Sequence, residues 1–101
     1  MKAVKVQYTV KPEFAEQNKA NIRKVMDALR KNPIEGMLYS TYTIDDGNTF
    51  VHINIARDEQ TMSKLNDLQE FMDFRMALRA SEPISPPDQT KLTPVGAGFE
   101  L

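Results

Sequence analysis

Apolar and polar residues alternate along Val4, Lys5, Val6, Gln7, Tyr8, Thr9 and Val10. A period of two with β-branched side chains predicts a half-buried strand. From Phe14 the period changes. Phe14, Asn18, Ile22, Val25, Met26 and Leu29 recur at helical spacing and form one mostly apolar stripe, which Asn18 interrupts. Lys19, Arg23, Lys24, Asp27, Arg30 and Lys31 fall largely on the other side. Pro12 and Glu13 suit a first helical turn, Arg30 and Lys31 a last one, and Asn32-Pro33 stops the helix.

Met37 to Ile44 and Thr49 to Ala56 predict the two arms of a hairpin around Asp46-Gly47. With those two residues at the centre of the turn, Ile44 opposes Thr49, Tyr42 opposes Val51, Ser40 opposes Ile53 and Leu38 opposes Ile55. That face is mostly aliphatic and is expected to meet the helices. The other face carries Met37, Tyr39, Thr41, Thr43, Phe50, His52 and Asn54. A second helical region begins at Arg57-Asp58-Glu59. It carries Met62, Leu65, Leu68, Met72 and Arg75, widened by Phe71, Phe74 and Leu78, with a break expected near Asn66-Asp67. Ser81 to Asp88, with three prolines, predicts a stiff connector. Lys91 to Glu100 predicts an edge strand weakened by Pro94, Gly96 and Gly98.

Strand, helix, strand, strand, helix, strand with right-handed crossovers is an α+β, ferredoxin-like βαββαβ arrangement. It has a four-stranded antiparallel sheet and helices on one face. The second sheet face then has nothing in the chain to cover it. Such a bare apolar face predicts a homodimer packed sheet against sheet about a two-fold axis.

The 101 residues suit a single domain, 1–101. A formal net charge of −1 gives no footprint for nucleic acid or anionic lipid. The absence of cysteine excludes disulfides and thiol chemistry. No apolar run approaches a membrane span, and Met1-Lys2-Ala3-Val4 enters a strand pattern at once, so a cytoplasmic protein without a secretory signal is expected. One histidine, no cysteine and no clustered carboxylates predict no metal site, and no phosphate-cradling glycine loop predicts a nucleotide cofactor.

His52 is the leading candidate for chemistry. A neutral imidazole can accept a phenolic proton near neutral pH. Thr41 lies directly across from it in the ladder, and Tyr39 and Thr43 are diagonal neighbours. Tyr39 could therefore donate to a substrate oxygen. The alternative is a histidine hydrogen-bonded in an interface. Phe71, Met72 and Phe74 are candidate apolar walls, and Asn18 is either a substrate-binding donor or a local hydrogen-bonding group. Tyr8 and Tyr42 are expected to point toward the helices. Asp45 and Asp46 pair two carboxylates, but in a turn where aspartate serves local hydrogen bonds.

Tyr8-x-Val10-Lys11-Pro12-Glu13, Asn18, Pro33-x-x-Gly36-x-x-Tyr39, Asp45-Asp46-Gly47-x-x-Phe50-Val51-His52, Phe71-x-x-Phe74 and Leu92-Thr93-x-Val95-Gly96 stand in this order along nearly the whole chain. In that order they resemble the antibiotic-biosynthesis-monooxygenase-like domains of the dimeric α/β-barrel superfamily. The resemblance implies a homodimer and a small pocket between sheet and helices. It also implies cofactor-independent oxidation, or binding, of a small aromatic or quinol compound. The chain departs from the enzymatic patterns in three places. Leu65 stands where many quinol-oxidising relatives carry histidine, and Ala56 stands where they often carry tryptophan. The haem-degrading set of Asn, Trp and His is not present, because the chain has no tryptophan. Non-catalytic binding and a pure dimerisation role remain open alternatives.

Overall fold

The computed structural model describes residues 1–44 and 46–101. Its elements run β1 (Lys2–Thr9), α1 (Ala15–Lys31), β2 (Met37–Thr43), β3 (Thr49–Ala56), α2 (Glu59–Ser63), α3 (Gln69–Ala80) and β4 (Ser85–Leu92). Short 3₁₀ turns at Pro12–Phe14 and Lys64–Asp67 lead into α1 and out of α2. The four strands form one antiparallel sheet in the order β2-β3-β1-β4. This is the expected ferredoxin-like arrangement, with its helices on one face.

The expected break in the second helical region is present. Asp58 caps α2 by accepting from the Thr61 amide at 2.7 Å, and Leu68 is extended before α3 begins. The hairpin register is also as read from the turn: Leu38 pairs with Ile55, Ser40 with Ile53, Thr41 with His52 and Tyr42 with Val51. Asp46 holds the turn by accepting from the amides of Asn48 and Thr49 and from the Thr49 hydroxyl, each at 2.8 Å. Asp45, the other half of the carboxylate pair, lies outside the described residues.

The assignment of faces is reversed. Tyr8, Phe50 and His52 are buried against the helices, while Leu38, Tyr42 and Ile44 are about half exposed. The physical reason lies in β1, whose apolar residues Val4, Val6 and Tyr8 pair with Asn54, His52 and Phe50. That strand alternates cleanly, so its apolar side must enter the core and takes the aromatic side of β3 with it. Tyr8 points toward the helices as expected, but Tyr42 does not. The core joins Tyr8, Val10 and Phe50 to Ile22 and Val25 of α1, Leu65, and Phe74 and Leu78 of α3. The sheet still has one face without a helix, now formed by Leu38, Tyr42, Val51, Ile53 and Ile55 on β2 and β3.

The last strand is also displaced from its expected place. β4 occupies Ser85–Leu92, half of it in the stretch read as a connector, and residues 93–101 form no strand. Pro86 and Pro87 fit because β4 is an edge strand and the ladder skips them. Pairing passes from Gln7–Asp88 to Thr9–Ser85 with a register shift, so the two imides fall in a bulge and no ladder amide is missed.

Gly36 is the backbone position with the firmest demand. Its φ is +81°, its carbonyl accepts from the Arg57 amide at 2.9 Å, and a Cβ there would stand 2.9 Å from the Arg57 Cδ. The Arg57 side chain can move aside, but the left-handed backbone cannot be relieved. Gly36→Ala is therefore expected to lower stability by about 1 kcal/mol in urea denaturation, with the fold retained.

Candidate functional site

Asn18 interrupts the apolar stripe of α1 because a polar chain crosses the core at that level. The Asn18 Nδ2 donates to the Tyr8 hydroxyl at 2.9 Å, and that hydroxyl lies 2.8 Å from the His52 Nε2. On the other side of the imidazole, Nδ1 is 2.7 Å from the Tyr39 hydroxyl and 2.9 Å from the Thr41 hydroxyl. Asn18, Tyr8 and His52 are all buried, with exposures of 0%, 2% and 4%. β1 supplies Tyr8, β3 supplies His52 and β2 supplies both Tyr39 and Thr41 to a single line of hydrogen bonds.

Donor and acceptor capacity assigns the protons. The Tyr8 oxygen already accepts from Asn18, and its own proton needs an acceptor, which only a bare His52 Nε2 provides. The ring proton is then on Nδ1, shared toward the oxygens of Tyr39 and Thr41. This leaves the hydroxyl proton of Tyr39 directed away from the imidazole. The electrostatics agree with a neutral ring. Burial pushes the His52 pKa down to about 4, and the same burial raises the phenols of Tyr8 and Tyr39 well above their usual range.

A cleft of about 430 Å³ opens beside this line, between the helix-facing side of the sheet and α2 and α3. Tyr39, His52 and Asn54 form its polar floor, and Phe71, Phe74, Leu65 and Met62 its apolar wall. The aromatic rings are in mutual contact. Tyr39 lies 5.8 Å from His52 and meets Phe71 edge-on at 6.1 Å, and Phe74 lies 5.4 Å from His52 and 5.9 Å from Phe71. The Oδ1 of Asn54 is buried and has no hydrogen-bond partner. A larger groove of about 710 Å³ runs between α1 and the free edge of β2, but its lining excludes His52, Tyr8 and Asn54.

Of the residues singled out from the sequence, the structure brings His52, Tyr39, Phe71 and Phe74 to one cleft. Asn18 stands behind the cleft, its Nδ2 donating to Tyr8 and its Oδ1 buried without a partner among the described residues. Met72 is 37% exposed and absent from the lining, because the break before α3 rotates the stripe onto Phe71, Phe74 and Leu78. Asn54 and Arg75 were missed as site residues. Asn54 could have been found, since the turn register already set it opposite Tyr39. Among the described residues no cluster of three His, Cys, Asp or Glu is placed to hold a metal ion, and no helix is long and apolar enough to cross a membrane.

No protein-family model and no curated protein matches the sequence. Solved structures do match. The chain is similar to a crystal structure of an antibiotic biosynthesis monooxygenase at 17% identity and TM-score 0.81, covering 95% of this chain and 100% of that one. It is similar to Rv0793 of Mycobacterium tuberculosis at 17% identity and TM-score 0.81, covering 97% and 98%. It is also similar to SnoaB, a cofactor-independent oxygenase of Streptomyces nogalater, at 17% identity and TM-score 0.71, covering 98% and 97%. At this identity the likeness is one of fold, and it extends over nearly the whole chain.

Proposed function

We infer that this protein binds a small phenolic or quinol-type aromatic in the cleft between sheet and helices and oxygenates it without a cofactor. The observation that carries the reading is the buried Oδ1 of Asn54, unpartnered among the described residues, in the cleft that Tyr39 also lines; the Nδ1-protonated tautomer of His52 leaves the Tyr39 proton unspent on the imidazole. A buried acceptor without a donor costs about 1–3 kcal/mol, and a turn of the Asn54 side chain toward the cleft would let a ligand hydroxyl recover it. The cleft volume suits such a ligand, and the oxygenase fold of the structural neighbours agrees with it.

In this reading the substrate phenol gives its proton to solvent at the mouth of the cleft, and Tyr39 donates a hydrogen bond that stabilises the resulting phenolate, which is electron-rich enough to reduce dioxygen. A quinol and dioxygen then give a hydroxyquinone and water. One oxygen atom enters the ring, the other leaves as water, and the substrate supplies all four electrons and the two hydrogens of that water. His52 is a positioning residue here, not the base expected from the sequence. Both its nitrogens are engaged, and a pKa near 4 makes it a weak acceptor at neutral pH. The active form is a homodimer closed over the bare sheet face, and its place in the cell is the cytoplasm.

Oxygen uptake with a panel of quinols tests this reading. Uptake above the autoxidation rate, reduced roughly 10- to 100-fold in Tyr39→Phe, is the expected result. The same weak basicity of His52 favours a second reading, in which the cleft binds the aromatic and does not turn it over. Saturable binding with oxygen uptake at the autoxidation rate would select that reading. No binding of any quinol would overturn both.

A further inference from the structure

The cleft has one cation in its lining, Arg75 of α3, and one carboxylate, Glu59 of α2. Arg75 is an exposed side chain, but two contacts hold its guanidinium at the mouth of the cleft. Its Cζ lies 5.6 Å over the Phe71 ring, and its Nη1 donates to the Asn66 Oδ1 at 3.3 Å. Phe71 is the ring that meets Tyr39 edge-on and Phe74 at a tilt. A continuous aromatic wall therefore runs from the guanidinium to the imidazole. No carboxylate stands within 4.0 Å of Arg75 among the described residues, Glu59 included. No other arginine lines this cleft.

Stacking and the Asn66 bond restrict a side chain that otherwise has large rotamer freedom, and they leave its remaining N–H groups unspent. A planar fork with free donors matches a carboxylate in bidentate geometry. We propose that the cleft takes an aromatic acid, a planar ring system whose carboxylate is held by Arg75 and whose phenolic oxygen is held by Tyr39 and Asn54. The ring plane would lie along Phe71 and Phe74, between the two polar ends. This rests on the cleft being a ligand site, and it adds the charge and orientation of the ligand.

The test is calorimetric titration at pH 7.5 with two probes of equal ring size, 6-hydroxy-2-naphthoate and 2-naphthol. The acid is expected to bind roughly tenfold more tightly than the naphthol, as for a partly exposed Arg–carboxylate pair. Arg75→Gln should abolish that ratio, with the acid binding no more tightly than the naphthol in the same variant, and Arg75→Lys should keep part of it. Rising salt should shrink the ratio in the unmodified protein and leave the naphthol unaffected. Equal affinities, or a ratio that survives Arg75→Gln, would overturn the aromatic-acid inference and leave the cleft itself standing. If neither probe binds, the cleft reading falls and this inference with it.

Discussion

Acidification from pH 7 to pH 4 is expected to lower the stability of this protein by about 3 kcal/mol through His52 alone. In the folded chain burial holds that imidazole at a pKa of about 4, against 6.5 for an ordinary histidine. Between those two values the unfolded chain binds a proton that the folded chain does not. Stability from this group is therefore fully present above pH 6.5, falls as the pH is lowered toward 4, and levels off below that. The carboxylates of Asp46 and Asp58 are also held below their usual range by hydrogen bonds, and they add an acid-labile component of their own. The two sources separate by mutation. His52→Gln removes the imidazole titration and leaves both aspartates. Urea denaturation across pH 4 to 7 should show a much shallower slope in that variant than in the unmodified protein. Equal slopes would mean that the imidazole is not buried neutral. The variant should also be less stable at pH 7, because a glutamine amide does not reproduce the imidazole's bonds to Tyr8 on one side and to Tyr39 and Thr41 on the other.

The same group explains what could and could not be read from the chain. The order of elements, the hairpin register and the adjacency of Thr41 and Tyr39 to His52 all follow from local rules, namely periodicity, a turn signal and the pairing of residues across two strands. The choice of buried face does not. The hairpin carries apolar residues on both sides, aliphatic on one and aromatic on the other, and aliphatic content alone favours the wrong one. The deciding signal is Asn18. A helix stripe with an amide at its centre needs a polar counterpart on the sheet, and Tyr8 with His52 supplies one while Leu38, Ile53 and Ile55 do not. β4 was misplaced for a related reason. Prolines argue against a strand only where both edges are paired, and β4 has a free edge and a bulge to hold them. The contact of Arg75 with Phe71 was legible, since the two stand four apart on one helix; that the pair faces the cleft was not, because the facing of α3 is set by the break before it.

Ile53→Asp is expected to convert the protein from a dimer to a monomer, raising the dissociation constant at least ~100-fold. Ile53 lies at the middle of the bare sheet face, paired with Ser40 on one side and Lys5 on the other. Around it stand Leu38 and Tyr42, exposed at 50% and 57%, and half-buried Val51 and Ile55. These are β-branched and aromatic side chains on a flat strand pair, with no helix of the same chain to shield them. Two such faces packed about a two-fold axis would bury a carboxylate at each position 53; Lys5 across the ladder is its one near counter-charge, and taking that pair out of water costs more than its attraction returns. The folded subunit should tolerate the change, since the side chain points away from the core of Tyr8, Phe50 and Phe74. Met76→Asp is the control, because Met76 is 70% exposed on α3, on the opposite side of the sheet, and its substitution should leave the mass unchanged. Sedimentation equilibrium at micromolar concentration reads all three proteins. A monomeric unmodified chain, or a dimer that survives Ile53→Asp, would mean that this face is not where two copies meet. The reversal of faces makes the experiment sharper. Tyr39 and Phe50 were first expected to form the interface, and they now lie beneath the helices, where substitution should disturb the cleft and the core and not the assembly.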